Sequence, residues 1–225
     1  MSWLTEILPN YCCQCAKRLT ATEKMLCLSC WHHINPNLLA QSEIFDAYTG
    51  ICLQVPIVKL WCCAKFTKGN WMQGIMHQLK YKNQPSWSGL LIRHYERAIR
   101  NKMQSETFDA IIGTPIHSRR KTQRGYNQVD AMGQELSRIL GIPYDTNWLI
   151  RTKYSKSQTR KNRIFRQKNS QNVFGINPKK QPNYQHILLI DDILTTGATL
   201  IACCQALQSK QPVQISIFCL GYTDD

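Results

Sequence analysis

The sequence predicts an α/β chain, a parallel sheet flanked by helices, with a small four-cysteine module at its N-terminal end. Two apolar runs predict the sheet. Ile187, Leu188, Leu189 and Ile190 form a short run free of Gly and Pro, as expected of a strand buried on both faces, and residues 108–113 (FDAIIG) form another. Each runs into a polar loop and then into a segment whose apolar residues recur at three and four, namely Val129, Met132, Leu136, Ile139 and Leu140 after residues 108–113, and residues 200–207 after Ile190. Strand, polar loop and helix, repeated, is the pattern of a parallel sheet whose ligands bind beyond the carboxyl ends of its strands. The third observation is the spacing of Cys12 and Cys15, followed after eleven residues by Cys27 and Cys30.

Taken in order, residues 3–8 (WLTEIL) suit one short amphipathic turn before Pro9. Two C-x-x-C pairs let four thiolates converge tetrahedrally, which suits zinc, and such a site can fix a segment with little core of its own. Cys12 rather than Cys13 gives the two-residue gap to Cys15; reduced surface cysteines or a redox pair are the other readings of the same spacing. His32 and His33 are expected to face solvent, since a four-cysteine site has no vacancy. Residues 31–45, with Pro36, read as a short helix and linker, and residues 48–53 and 57–66 as two strands, the second ending at the turn Lys68-Gly69-Asn70. Cys52, Cys62 and Cys63 are expected as core-packed thiols. Met72, Ile75, Met76 and Leu79 predict a helix over 71–81; residues 86–89 then separate it from a second helix over 90–103. The helix that starts near Val129 is stopped by Gly141 and Pro143.

The length of 225 residues suits one good core with a small appendage. No apolar run approaches the ~20 residues of a membrane span, and the first residues do not read as a secretory signal. A cytoplasmic location is therefore expected, with the eleven cysteines as metal ligands or reduced core residues rather than disulfides. The net charge of +14 calls for an anionic partner. No Asp or Glu falls between Asp145 and Asp191, an interval that carries Arg151, Lys153, Lys156, Arg160, Lys161, Arg163, Arg166, Lys168, Lys179 and Lys180. That field exceeds the needs of one small phosphosugar and implies a longer polyanion.

The run at 187–190 is expected to end at two carboxylates, Asp191 and Asp192, followed by the small residues Thr195, Thr196, Gly197, Ala198 and Thr199. A strand feeding a helix through such a loop offers unpaired N–H groups and the positive helix end to a phosphate, with Gly197 allowing close backbone approach. Adjacent acids would repel phosphate alone. They make sense when the ligand also brings hydroxyls or a divalent metal such as magnesium, and a phosphorylated ribose fits. DDILTTGAT resembles the phosphoribosyl pyrophosphate (PRPP) motif of type I phosphoribosyltransferases. That resemblance implies their fold, with Asp191 and Asp192 on the ribose hydroxyls and residues 195–199 around the 5-phosphate. Phosphoribosyl transfer also needs donors for the departing pyrophosphate. The loop 114–127 begins with Thr114 and Pro115 and supplies Arg119, Arg120, Lys121 and Arg124; a solvated basic loop is the plainer reading.

TPIHSRRKTQRGYNQ, the cysteine pairs, HQLKYKNQ, LIRTKYSKSQTRKN, NVFG and LLIDDILTTGAT, in this order, are similar to the ComF/GntX family of phosphoribosyltransferase-like proteins. The resemblance implies a zinc-knuckle module and linker over 1–45 and a phosphoribosyltransferase-like domain over 46–225 with a basic flexible hood at 151–172. It implies that His117, Arg120, Arg124, Gly125, Asn127 and Gln128 border the pyrophosphate, that Lys80 and Tyr81 lie at the mouth, and that Gln158 and Asn172 fall in the hood. Members of that family are cytoplasmic proteins required for natural transformation, where they handle internalised single-stranded DNA beside other DNA-uptake proteins; others are tied to gluconate use. The sequence departs from the pattern at Ala16, where a Gly is usual, and at Ile176-Asn177, and it lacks a second zinc ribbon. Thr195 stands where purine-salvage relatives carry a proton-transferring carboxylate, which argues against a 6-oxopurine acceptor.

Two readings follow. In the first the chain is a phosphoribosyltransferase that docks PRPP with magnesium on Asp191, Asp192 and residues 195–199, with Arg124 at the departing pyrophosphate. In the second it is a non-catalytic, PRPP-sensing or single-stranded-DNA-binding module, gripping phosphates through Arg119, Arg120, Arg151, Arg160, Lys161, Arg163 and Arg166, with Tyr154 and Phe165 to stack on bases.

Overall fold

Five strands form one parallel sheet in the order β1-β7-β6-β2-β3: β1 (Leu60–Lys65), β2 (Ala110–Gly113), β3 (Tyr144–Asp145), β6 (His186–Leu194) and β7 (Gln214–Tyr222). A separate antiparallel ribbon pairs β4 (Leu149–Arg151) with β5 (Phe174–Ile176). The computed structural model describes residues 11–81, 84–116, 122, 125–152 and 173–223. The central strands read as continuous apolar runs because both faces are covered. Leu188 and Ile190 of β6 join Ile111, Phe218 and Leu220 in one core, while Ile187 and Leu189 join Ala110, Ile112, Ile215 and Ile217 in the other. The period of two divides each strand between the two layers.

The connections decide where a ligand can sit. β2 leads through α6 (Asp130–Leu140) to β3 on one side, and β6 leads through α7 (Ala198–Gln208) to β7 on the other. Winding reverses between β2 and β6, which pair from Ala110↔Ile187 to Gly113↔Ile190. The crevice beyond the carboxyl ends of these two strands is the switch point of the sheet. One layer holds α3 (Trp71–Tyr81), α4 (Ser86–His94), α5 (Glu96–Met103) and α6; the other holds α2 (Phe45–Cys52) and α7.

Several elements differ from expectation. Residues 48–53, expected as a strand, lie mostly in helix α2: Ile44, Ala47, Tyr48 and Ile51 turn inward at spacings of three and four, a helical face rather than an alternating one. The helix and linker expected over 31–45 is a short α1 (Leu28–His32) and a 3₁₀ turn at Gln41–Ile44, and the strand expected over 57–66 is the shorter β1. Residues 86–89 open α4 instead of separating two helices. Ser88 donates its hydroxyl to Gln128 O at 3.1 Å, and a Cβ on Gly89 would stand 3.1 Å from Ala131 O, so the small residues serve close packing on α6. The helix expected over 90–103 breaks at Tyr95 into α4 and α5. Strand β6 does not end at the acids but runs through Asp191 and Asp192 to Leu194, since Asp191 still pairs with Cys219 and Ile193 with Gly221. Cys62 and Cys63 are buried thiols, whereas Cys52 is half-buried. No helix among the described residues is long and apolar enough to cross a membrane.

Candidate active site and metal centre

The Sγ atoms of Cys12, Cys15, Cys27 and Cys30 lie within 4.8 Å of one another, so the cluster could hold a metal ion. The first pair sits on a tight turn, with Cys12 N donating to Lys17 O at 2.8 Å and Ala16 N to Cys12 O at 3.0 Å; the second pair leads into α1. Ala16 (φ 58°) and Met25 (φ 61°) occupy the left-handed region, which costs an L-residue roughly 1–2 kcal/mol. Burial raises the Cys12 thiol, but N–H groups of Cys15, Cys27 and Gln14 and the Cys15 thiol outweigh it and bring the group down to about 6. Cys13 is pushed up to about 12 by burial and the neighbouring Cys12 charge. Cys12 is therefore the ready thiolate of the two. His32 and His33 are exposed, and the His33 ring meets Ser29 O at 2.7 Å. Met25, Leu26 and Cys27 share a core with Met72, Ile75, Met76 and Leu79, and a Cβ on Gly74 would stand 2.6 Å from Cys13 O, so the knuckle lies directly on α3.

At the switch point, Thr114 N continues the ladder to Ile190 O at 2.9 Å, and its hydroxyl donates to Asp191 Oδ1 at 2.8 Å. Asn127 Nδ2 donates to Thr114 O at 2.9 Å, and Gln128 Nε2 to Asp192 Oδ2 at 3.3 Å. Each acid also accepts the next residue's N–H, Asp191 Oδ1 from Asp192 at 2.9 Å and Asp192 Oδ1 from Ile193 at 2.7 Å. Both carboxylates are buried and face a cleft of about 340 Å³. Thr114, Pro115, Thr195 and Thr199 line it with them, as do Gln128 and Arg151, whose guanidinium sits 5.3 Å from the Phe174 ring centroid. Thr195 and Thr199 are exposed at the start of α7, where the first N–H groups of the helix lack intrahelical partners. Thr196 lies in the loop before α7 and Ala198 is the first residue of the helix; neither lines the cleft. Gly197 is left-handed at φ 70°, and a Cβ there would stand 3.1 Å from Ile51 Cγ1, so glycine is required by the turn and by α2 packed behind it.

A family model described as phosphoribosyl transferase domain matches residues 131–223. The chain is 28% identical over 216 residues to the DNA utilization protein YhgH of Shigella flexneri, covering 94% of this chain and 90% of that one. It is 30% identical over 151 residues to competence protein F of Haemophilus influenzae, covering 65% of this chain and 66% of that relative. The chain belongs to the ComF family. Among solved structures, adenine phosphoribosyltransferase from Saccharomyces cerevisiae aligns at 14% identity and a TM-score of 0.40, covering 80% of this chain and 89% of that one.

In this ComF-family chain the described residues bring Thr114, Pro115, Gln128, Arg151, Asp191, Asp192, Thr195 and Thr199 to one cleft. Arg119, Arg120, Arg124, Arg160, Lys161, Arg163 and Arg166 lie outside the described residues, as do His117, Tyr154, Gln158, Phe165, Asn172, all but the first two residues of the hood, and the turn at 3–8. Lys80 and Tyr81 close α3. Two cleft residues escaped the sequence reading. Phe66 and Thr223 follow the carboxyl ends of β1 and β7; Phe66 N donates to Tyr222 O at 2.7 Å and Thr223 N to Leu194 O at 2.9 Å. The Thr223 hydroxyl is buried without a hydrogen-bond partner. Recognition of QISIFCLGY as a strand would have marked the position, since ligands gather at the ends of parallel strands.

Proposed function

We propose that this ComF-family chain binds PRPP with magnesium in the cleft between β2 and β6, transfers its phosphoribosyl group to an acceptor, and acts on single-stranded DNA in natural transformation. The observation that carries the reading is the pair of buried carboxylates, positioned by Thr114 and Gln128 and facing the same cleft as the start of α7. Asp191 and Asp192 accept the ribose hydroxyls; the loop of Thr195, Thr196, Gly197, Ala198 and Thr199 receives the 5-phosphate; Thr114, Pro115 and Arg124 border the pyrophosphate. Hard carboxylate oxygens in a polar cleft fit magnesium. Bound there with PRPP, magnesium supplies charge neutralisation to the pyrophosphate. The four cysteine sulfurs fit a closed tetrahedral zinc site with a structural role. Thr195, a hydroxyl with no pKa suited to proton transfer, favours an acceptor other than a 6-oxopurine.

The DNA part of the reading is supported by the names of the relatives, DNA utilization protein and competence protein F, and by the acid-free basic interval between Asp145 and Asp191. Arg119, Arg120, Arg151, Arg160, Lys161, Arg163 and Arg166 neutralise strand phosphates, in the cytoplasm and beside other DNA-uptake proteins. Replacing Arg160, Lys161 and Arg163 with Ser should lower the salt slope of single-strand binding by up to about 2, at about 0.7 per lost phosphate contact. An unchanged slope refutes the role of the basic segment. Transfer itself is tested by pyrophosphate release from PRPP with DNA or free bases as acceptors; binding without release under every acceptor contradicts catalysis and leaves a sensor.

A further inference from the structure

Three consecutive residues close the loop between β2 and α6, and each is hooked to a different element. Tyr126 donates its hydroxyl to Leu79 O at 2.8 Å. Asn127 ties the loop to the end of β2 through Thr114 O, and Gln128 reaches Asp192 with its side chain while its carbonyl accepts the Ser88 hydroxyl of α4. Leu79 lies in the last turn of α3, where carbonyls have no intrahelical partner, so Tyr126 satisfies a group that the helix cannot. Helix α3 is also the seat of the four-cysteine knuckle, with Gly74 against the Cys13 carbonyl and Leu79 in the same core as Met25 and Leu26. Asn127 Oδ1 is buried without a partner, which costs free energy; its pose is held by the anchored residues on either side.

We propose that Tyr126 is a positioning residue that couples the metal knuckle to the cleft acids. A knuckle closed on its metal fixes α3, and α3 fixes Tyr126. Asn127 and Gln128 then hold Thr114 and Asp192 in place beside Asp191. The ligand in this inference rests on the PRPP reading above, while the linkage rests on the hydrogen bonds alone.

Tyr126→Phe removes the hydroxyl and keeps the ring. Zinc affinity of the full chain is measured by chelator competition with and without magnesium and PRPP, and PRPP affinity by calorimetry with and without zinc. Linkage requires the two ratios to agree. In the wild-type chain the shared factor should be roughly five or more, and in Tyr126→Phe it should fall close to one. Equal factors in both proteins overturn the inference. Hydrogen exchange separates it from the functional reading. If loaded wild-type protein binds no PRPP, the functional reading falls, and exchange at residues 125–128 decides the coupling. Faster exchange there in zinc-loaded Tyr126→Phe than in zinc-loaded wild type supports it, and unchanged protection overturns it. This comparison uses only loaded protein, so it stands even if stripping the metal unfolds the chain.

Discussion

At the scale of single residues, the acids and the small residues after them were legible because their chemistry is local: a carboxylate pair, hydroxyls and a glycine between an apolar run and a helical period need no knowledge of the rest of the chain. Asp191, Asp192, Thr195 and Thr199 accordingly share the cleft. Thr223 was missed because the strand that ends just before it, QISIFCLGY, was not read as a strand. Ala16, singled out as a departure from glycine, holds φ 58°. Ala16→Gly should relieve that strain and stabilise the zinc-loaded chain by up to about 1 kcal/mol after glycine's entropic cost. Thermal melting at saturating zinc should show a rise of about 2–4 °C, and a fall would contradict the strain argument. His186, whose Nε2 lies 3.0 Å from Ser216 Oγ, has its pKa lowered, chiefly by burial against the opposing pull of Glu106. Its folded pKa lies below the unfolded value, so the unfolded chain takes up the proton first. The contribution is present at neutral pH and is lost as pH falls below about 6.5. His186→Gln should flatten this acid limb in urea titrations at stepped pH; an equally steep limb would assign the loss elsewhere.

At the scale of elements, the two strand–loop–helix units were readable because strands covered on both faces become unbroken apolar runs. Helix α2 was not readable. Its eight residues include Phe45, Tyr48, Thr49 and Ile51, types that favour strands, and the apolar core that Ala47, Tyr48 and Ile51 share with residues of α7 and β7 overrides that preference. The same packing has a consequence for the loop that leads into α7, because Ile51 stands behind Gly197. Gly197→Ala forces an L-residue into φ 70° and presses a methyl group onto Ile51; it should cost about 1–3 kcal/mol of stability by urea denaturation. PRPP affinity should fall with it. An Ala variant as stable as wild type would mean that the loop has a second accessible conformation.

At the scale of the whole molecule, sheet order could not be read from the chain, because the pairing of β1 with β7 and of β2 with β6 joins segments far apart in sequence. The consequence of that order is nonetheless simple. It sets the reversal of winding between the strand that leads into Thr114 and the strand that carries Asp191, and it leaves the cysteine knuckle on the helices of one layer, linked to the cleft through α3. The most direct test of this arrangement is a calorimetric titration of PRPP with magnesium into wild-type protein and into the double variant Asp191→Ala, Asp192→Ala, both loaded with zinc. Saturable binding by wild type and none by the variant is the result expected; equal affinity in the two proteins would contradict a ribose held by these acids.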